Sequence, residues 1–403
     1  MKQFIPLSLR ERHFRRFMAG YALSLISRNM VPVVVTFALF EAGRGVGAVS
    51  VALASETVPL VVLMLLGGVV ADKFPRRNVM ACANLLCFCS QAVLAALFFT
   101  HHAPLWAIAG LMACIGSGSA FFAPGLSGLI PELVPEPHLQ SANSINSMAQ
   151  SIGSVAGPAL GGLLVAVAGG GLAIAIDSVS YLICAVILLS LPKQEAKPQN
   201  NENILVLLKE GWQEFSSRKW MWALTLQSAV LFLFVIGPLF VLGPMMFSHQ
   251  AHGALGWGGL LSLSGAGSIV GSVLATRCKP RYPMRLAIYV FFSYALLPAS
   301  LAAHVPYFLM GLCAIICGVT LPIFGVLWNT LVQTKIPQDK ISRVIAYDYV
   351  GSLSTQPLGY ALAAPLAYFL SPAGALWLGA GVLVASNIAV LMVKAVWNLQ
   401  AEP

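Results

Sequence analysis

The chain has 403 residues, of which 58% are hydrophobic and only 9% are charged. A soluble globular domain carries about 25% charged residues, so there is too little charge to cover a water-facing surface of this size, and lipid must face much of it. The net charge of +9 does not call for nucleic acid, because positive-inside bias and attraction to anionic inner-leaflet lipid account for it.

The apolar runs are continuous rather than alternating, and in hydrocarbon only helices or closed barrels satisfy the backbone. Continuous runs select helices. About 20 apolar residues cross the bilayer core, and the chain offers twelve such stretches. The first six are 17–39, 49–71, 79–99, 105–129, 145–168 and 172–191. The second six are 222–247, 255–275, 286–303, 307–331, 347–370 and 374–397. The first is too long for a signal-peptide apolar region of ~7–15 residues and reads as a retained helix. Pro, Gly or charge punctuates nearly every gap. The thinnest is Gly169-Gly170-Gly171.

With both termini cytoplasmic, all but two of the 23 basic residues fall in cytoplasmic segments; the exceptions are Arg44 outside and Arg28 within a span. That asymmetry sets the orientation. The longest polar stretch separates an N-terminal six-helix bundle, residues 1–191, from a C-terminal one, 220–403. The linker, 192–219, carries apolar residues at 204, 205, 207, 208, 212 and 215, the spacing of an interfacial amphipathic helix. None of the eight cysteines lies in a predicted outer loop, so a disulfide framework is not expected. Cys313 and Cys317 read as small packing residues.

The halves match each other. At an offset of 202, Pro135 meets Pro337, Leu139 meets Ile341, Gly157 meets Gly359 and Leu160 meets Leu362. At an offset of 204, Gly67 meets Gly271, Ala71 meets Ala275, Lys73 meets Arg277 and Arg77 meets Arg281. Such symmetry is what transporter repeats leave behind, and it predicts a central site between pseudo-two-fold-related halves.

After the second span comes Gly68-Val-Val-Ala71-Asp72-Lys73-Phe-Pro-Arg76-Arg77. It resembles motif A of the major facilitator superfamily, Gly-x-Leu-Ala-Asp-Arg-x-Gly-Arg-Lys, with Lys for the first Arg and Pro75 for the second Gly. The resemblance implies an all-α fold of twelve transmembrane helices in two six-helix halves. It also implies a gating contact between Asp72 and the start of span eleven, where Arg343 stands, with Gly68, Lys73, Arg76 and Arg77 completing the motif. The plainer alternative is that the basic cluster sets topology. Span five carries Gly153-x-x-x-Gly157-Pro158-Ala-Leu-Gly161-Gly162, similar to motif C of the superfamily's exporters, beside the plainer reading of small-residue packing. The runs Phe121-Phe122-Ala-Pro124, Ile130-Pro-Glu-Leu-Val-Pro, Ala175-Ile-Asp177-Ser-Val-Ser-Tyr181 and Tyr347-Asp348-Tyr look like the branch that holds the enterobactin exporter and the macrolide efflux pumps.

Arg28, Glu56, Asp177 and Asp348 are ionisable residues at membrane depth, where a charge costs ~2.5–3.5 kcal/mol on insertion scales. Each requires a partner or a water-lined cavity. Arg28 can hold an anionic substrate or pair with Glu56. Glu56 can exchange a proton during the cycle, and a structural salt bridge with Arg28 is the competing reading. Asp348 is placed to pair with Arg343 or Lys340 or to join a proton path. Asp177 reads as a hydrogen-bonding residue, with Asn143 or Asn146 as candidate partners. Phe121, Phe122, Gln150, Trp328, Asn329, Gln333 and Gln356 are candidate cavity residues, together suited to a bulky amphipathic solute. His101, His102, His249, His252 and His304 fall in outer loops without ligand spacing, and no metal or cofactor is expected.

No His-Glu-x-x-His, Gly-x-Ser-x-Gly or facing paired-aspartate motif supports an intramembrane enzyme, and no ATP-binding sequence appears. The expected function is a proton-coupled exporter of a small amphipathic molecule, siderophore-like or drug-like. The expected setting is a monomer in a bacterial inner membrane, and an importer or facilitator is the alternative.

Overall fold

The computed structural model describes residues 7–100, 103–192, 204–248, 250, 252–277, 280–336 and 341–400, and no strand occurs among them. The helices are α1 (Arg12–Glu41), α2 (Val46–Lys73), α3 (Arg76–Phe99), α4 (Leu105–Leu133), α5 (Leu139–Ser190), α6 (Ile204–Ser217), α7 (Lys219–Leu231) and α8 (Gly237–Phe247). They continue as α9 (Gly253–Arg277), α10 (Pro283–Phe291), α11 (Leu296–Ala302), α12 (Tyr307–Lys335), α13 (Ile341–Leu353), α14 (Gln356–Leu391) and α15 (Lys394–Trp397). A π-helical turn, Phe232–Ile236, joins α7 to α8, and a 3-10 turn, Phe292–Ala295, joins α10 to α11. Helices α2, α3, α4 and α12 start directly after Gly45, Pro75, Pro104 and Pro306, with no side-chain cap. Such starts leave the first N–H groups to other partners.

Ten helical stretches among the described residues are long and apolar enough to cross a membrane. Two of them, Ser141–Ser190 and Tyr347–Leu391, run to 50 and 45 residues. At about 20 residues per crossing, each has room for two passages, and counting both twice matches the expected twelve. Each contains one residue with positive φ, Gly169 (φ 77°, ψ 165°) and Ser371 (φ 67°, ψ 160°), and the second stretch is also interrupted at Ser354–Thr355, between α13 and α14. The two positive-φ positions are again 202 apart, so the repeat extends to its sharpest turn.

This backbone region is essentially reserved for glycine, and a non-glycine residue there carries about 1–3 kcal/mol of strain. Ser371 offsets some of it: its Oγ accepts a bond from the Gly374 N–H at 3.2 Å, capping the following segment. Glycine replaces such a cap at a cost of only a few tenths of a kcal/mol. Ser371→Gly is therefore expected to raise the thermal midpoint in detergent, by a net gain of about 1 kcal/mol. Ser371→Ala, which keeps the strain and loses the cap, should lower it. A lower midpoint for Ser371→Gly would contradict this account.

The chain divides into two compact units, Met1–Gln199 with Gln250–Gly259, and Asn200–His249 with Leu260–Pro403. In the first, α1 runs beside α5, and Gly153, Gly157 and Gly161 meet Leu25, Asn29 and Met30. Gly116 of α4 packs on the backbone of α2, so that a Cβ there would stand 1.8 Å from the Glu56 carbonyl oxygen. In the second, a Cβ on Gly318 of α12 would stand 1.9 Å from the Ser264 carbonyl oxygen of α9. Gly116 and Gly318 are also 202 apart, so the same helix crossing is built twice. Gly359 of α14 lies against the carbonyl oxygens of Phe232 and Leu233, at the π-helical turn.

The core of the first unit includes a stack of Phe17, Tyr21 and Phe122, with ring centroids 5.5 and 5.7 Å apart. That of the second includes Trp220 and Trp328, with the half-buried Phe324 stacked on Trp328. The amphipathic segment forms α6, and its Trp212 and Phe215 rings pack on Tyr347 of α13.

Candidate functional site

One buried carboxyl, one half-buried carboxyl and one guanidinium gather inside the first unit. Arg28 lies in α1, Glu56 in α2 and Asp177 in the segment of α5 that follows Gly169. Arg28 acts electrostatically on both Glu56 and Asp177. Yet among the described residues no ion pair within 4 Å joins it to either. The three groups thus form a loose cluster, without the direct Arg28–Glu56 contact that the competing salt-bridge reading requires. The close α2–α4 crossing at Gly116 seats Glu56, and the glycine contacts of α5 with α1 seat Asn29, next to Arg28. Asn29 is itself tied down, its Nδ2 donating to the Leu25 carbonyl at 2.7 Å. A small cleft, with room for about one water, adjoins the cluster, lined by Tyr21, Arg28, Asn84, Cys87 and Tyr181 among others.

Asp177 is 2% exposed, and its Oδ2 accepts a bond from Gln91 Nε2 of α3 at 2.7 Å. Its partner is therefore Gln91, rather than Asn143 or Asn146 of the first α5 segment. The sequence signal for Gln91 is an amide in the middle of the span 79–99, whose other polar side chains include Asn84 and Ser90.

In the second unit Asp348 of α13 accepts a bond from Thr225 Oγ1 of α7 at 2.6 Å, and the Trp328 side chain of α12 lies beside it as a second neutral donor. Lys340 lies outside the described residues, and so does the side chain of Arg343. The described partners of Asp348 are thus neutral donors from two other helices. Trp328 sits in the core, edge-on to Trp220 at 5.4 Å. Phe121 is half-buried and Phe122 belongs to the core of its unit. Gln150 and Asn329 are exposed, and Gln356 donates to the Tyr360 hydroxyl at 2.8 Å. The side chain of Gln333 lies outside the described residues.

The described part of motif A is wired within its own unit. Arg76 donates to the Gly128 carbonyl at 3.0 Å and to Glu132 Oε1 at 2.6 Å. Arg77 donates to the Leu191 carbonyl and to Asn78 Oδ1. The pair ties the start of α3 to the ends of α4 and α5. Gly128 makes room for this, since a Cβ there would lie 2.2 Å from Arg76 Cζ. Glu132, which the sequence reading did not single out, is the acid closest to the end of α4. Gly68, Asp72 and Lys73 occupy the C-terminal end of α2 and Arg343 the first turn of α13; their side chains lie outside the described residues. In the segment resembling motif C, Gly153, Gly157 and Gly161 serve the α1 crossing. Gly162 lies against the Ala254 carbonyl, and the Pro158 carbonyl against Gly258, both within the stretch 250–259 that packs with this unit.

Comparison with known proteins agrees with this architecture. The profile of the Major Facilitator Superfamily matches residues 17–354. Macrolide efflux protein A of Streptococcus pyogenes is 26% identical over 360 residues, covering 87% of this chain and 88% of that protein. Enterobactin exporter EntS of Escherichia coli O1:K1 / APEC is 24% identical over 413 residues, covering 99% and 96%. The solved structure of nucleoside transporter NupG superposes with a TM-score of 0.77 at 14% identity, covering 96% of this chain and all of that one. A bacterial homologue of the iron transporter ferroportin, in its inward-facing state, gives 0.67 at 17% identity, covering 94% and 98%. At those identities the two structures bear on the fold alone.

Proposed function

The chain belongs to the Major Facilitator Superfamily and is a multi-pass membrane transporter rather than an enzyme, and from that premise we propose that it is a proton-coupled exporter of a small amphipathic solute. The observation that carries the coupling is the loose cluster of Arg28, Glu56 and Asp177. Carboxyls at membrane depth mark ion paths and proton relays. Arginine stays charged, so Arg28 is a fixed counter-charge for the ionised Glu56. The Glu56 carboxylate can hold either a proton or a hydrogen-bond-donating or cationic group of the solute, not both at once, so arrival of a proton releases the solute. Exchange of one for the other is antiport.

The direction and the solute class rest on the two efflux relatives, which resemble this chain over most of its length. The proposed setting is a bacterial inner membrane, supported by the multi-pass fold and the relative from Escherichia coli. The test is accumulation of macrolides and catecholate siderophores in a deletion strain, with and without an uncoupler, and uptake of the same solutes into everted vesicles. Uptake driven by an inward-acidic gradient is the expected result. Accumulation into right-side-out vesicles instead would establish import.

Two substitutions probe the roles. Glu56→Gln is expected to abolish gradient-driven flux while solute counterflow continues. Unchanged gradient-driven flux would remove Glu56 from the path. The gating role of motif A belongs to the same proposal: Asp72→Asn should slow transport on the order of tenfold, about 1.4 kcal/mol of barrier, with membrane insertion unchanged. Wild-type rates in that variant would assign the motif to topology alone.

A further inference from the structure

Gln91 and Asp177 lie inside the first unit, 0% and 2% exposed, joined by the single bond from Gln91 Nε2 to Asp177 Oδ2. Among the described residues, each retains one buried oxygen without a hydrogen-bond partner, Gln91 Oε1 and Asp177 Oδ1. Both atoms only accept when the carboxyl is ionised, and two acceptors cannot satisfy one another. Turning the amide over exchanges its N and O and leaves the same deficit of one donor.

The second unit supplies an internal control. Gln227 Nε2 donates to Asn387 Oδ1 between α7 and α14, and the two residues are 2% and 0% exposed. The atoms left without partners there are Gln227 Oε1 and Asn387 Nδ2. One accepts and the other donates, so that pair can close on itself. The Gln91–Asp177 pair cannot, unless a proton is added.

We propose that Asp177 carries a proton on Oδ1 and donates it to Gln91 Oε1, so that the two form a cyclic acid–amide pair that is a proton-binding site of the first unit, separate from Glu56. Closing the ring needs only rotation about the terminal torsions of the two side chains, which are broad and roughly two-fold. The groups in electrostatic reach of the pair are Arg28 of α1, Glu56 of α2, Cys87 of α3 and Tyr181 one turn along α5, and Cys114 of α4 acts in turn on Cys87. Arg28 is the only cation among them, and it is the counter-charge that Asp177 meets when the proton leaves. The pair therefore adds a second proton position beside Glu56, and its chemistry does not depend on which solute is carried.

Infrared spectroscopy of the purified protein in lipid, titrated with acid and base, tests this. The expected result is a protonated-carboxyl carbonyl band at neutral pH that shifts on deuteration, disappears in Asp177→Asn and survives in Glu56→Gln. Identical wild-type and Asp177→Asn spectra would overturn the assignment. Thermal denaturation gives a second readout. An asparagine amide can make both bonds of the ring with Gln91, so Asp177→Asn should keep the wild-type midpoint, whereas Asp177→Leu, which leaves the amide unpaired, should lower it. Equal losses in the two variants would also count against the ring. A band that behaves as expected in a protein whose flux ignores the proton gradient would reject the coupling in the proposed function and leave this site standing. Proton-driven flux without the band would do the reverse.

Discussion

Substituting methionine for Arg28 is expected to abolish gradient-driven transport and to destabilise the first unit, and both losses should trace to the ionised Glu56 it faces, with Asp177 adding to them once its proton leaves. Methionine keeps much of the length and apolar volume of the side chain. What it removes is the only cation within electrostatic reach of Glu56 and Asp177 in this cluster. An uncompensated charge in a low-dielectric interior is costly. Because no direct ion pair within 4 Å is present, the expected loss lies at the lower end of the range for broken buried pairs, about 3 kcal/mol. Transport should fall on the order of 100-fold, about 2.7 kcal/mol of barrier. The stability deficit should shrink as pH falls, because protonating the carboxyls removes the charge left without compensation. It should also shrink in the Arg28→Met, Glu56→Gln double variant, while transport stays lost. Thermal denaturation across pH, run beside a vesicle flux assay, separates these outcomes. Equal destabilisation at every pH would show that Arg28 acts through packing rather than charge.

The second large effect is expected at the glycine crossings. In an exposed helix, alanine for glycine is favourable by about 1 kcal/mol. At Gly116 and Gly318 the added methyl would stand 1.8 and 1.9 Å from backbone carbonyl oxygens of α2 and α9. Backbone cannot rotate away as a flexible side chain can, so the helices must separate, and overpacking of that kind costs at least the usual ~1–3 kcal/mol. Gly116→Ala carries a further consequence, since the displaced carbonyl belongs to Glu56. It should impair coupling as well as folding, whereas Gly318→Ala should impair folding of the second unit and spare the cluster in the first. At Gly110 and Gly381 an added methyl would meet nothing within 4 Å, and alanine there should be neutral or stabilising. Expression, thermal midpoint and flux of the four variants check the pattern. Tolerance of alanine at Gly116 would show that α2 and α4 can be repositioned without loss.

Much of this protein was legible before any tertiary structure. Hydropathy, Lys and Arg asymmetry and a 202-residue offset are properties of one chain read in order. They are strong because lipid imposes them on every residue in turn. The repeat proved deeper than the sequence match alone: Gly169 and Ser371 share an unusual backbone conformation, and Gly116 and Gly318 share a crossing, though Gly169 and Ser371 are different amino acids. The ionisable residues Arg28, Glu56, Asp177 and Asp348 were also identifiable, because a charge inside an apolar run is conspicuous.

Their partners were not. Gln91 and Asp177 are 86 residues apart, Arg76 and Glu132 are 56 apart, and Thr225 and Asp348 are 123 apart. Helical periodicity shows which face of a span is apolar, but not which neighbouring helix that face meets. Only the tertiary structure set Asp177 against an amide and Asp348 against a hydroxyl, and it turned Arg76 and Arg77 toward the ends of α4 and α5. The physical reason is that membrane insertion is decided span by span by transfer into lipid, whereas partner choice is decided afterwards by glycine-sized gaps between helices, which no single span contains.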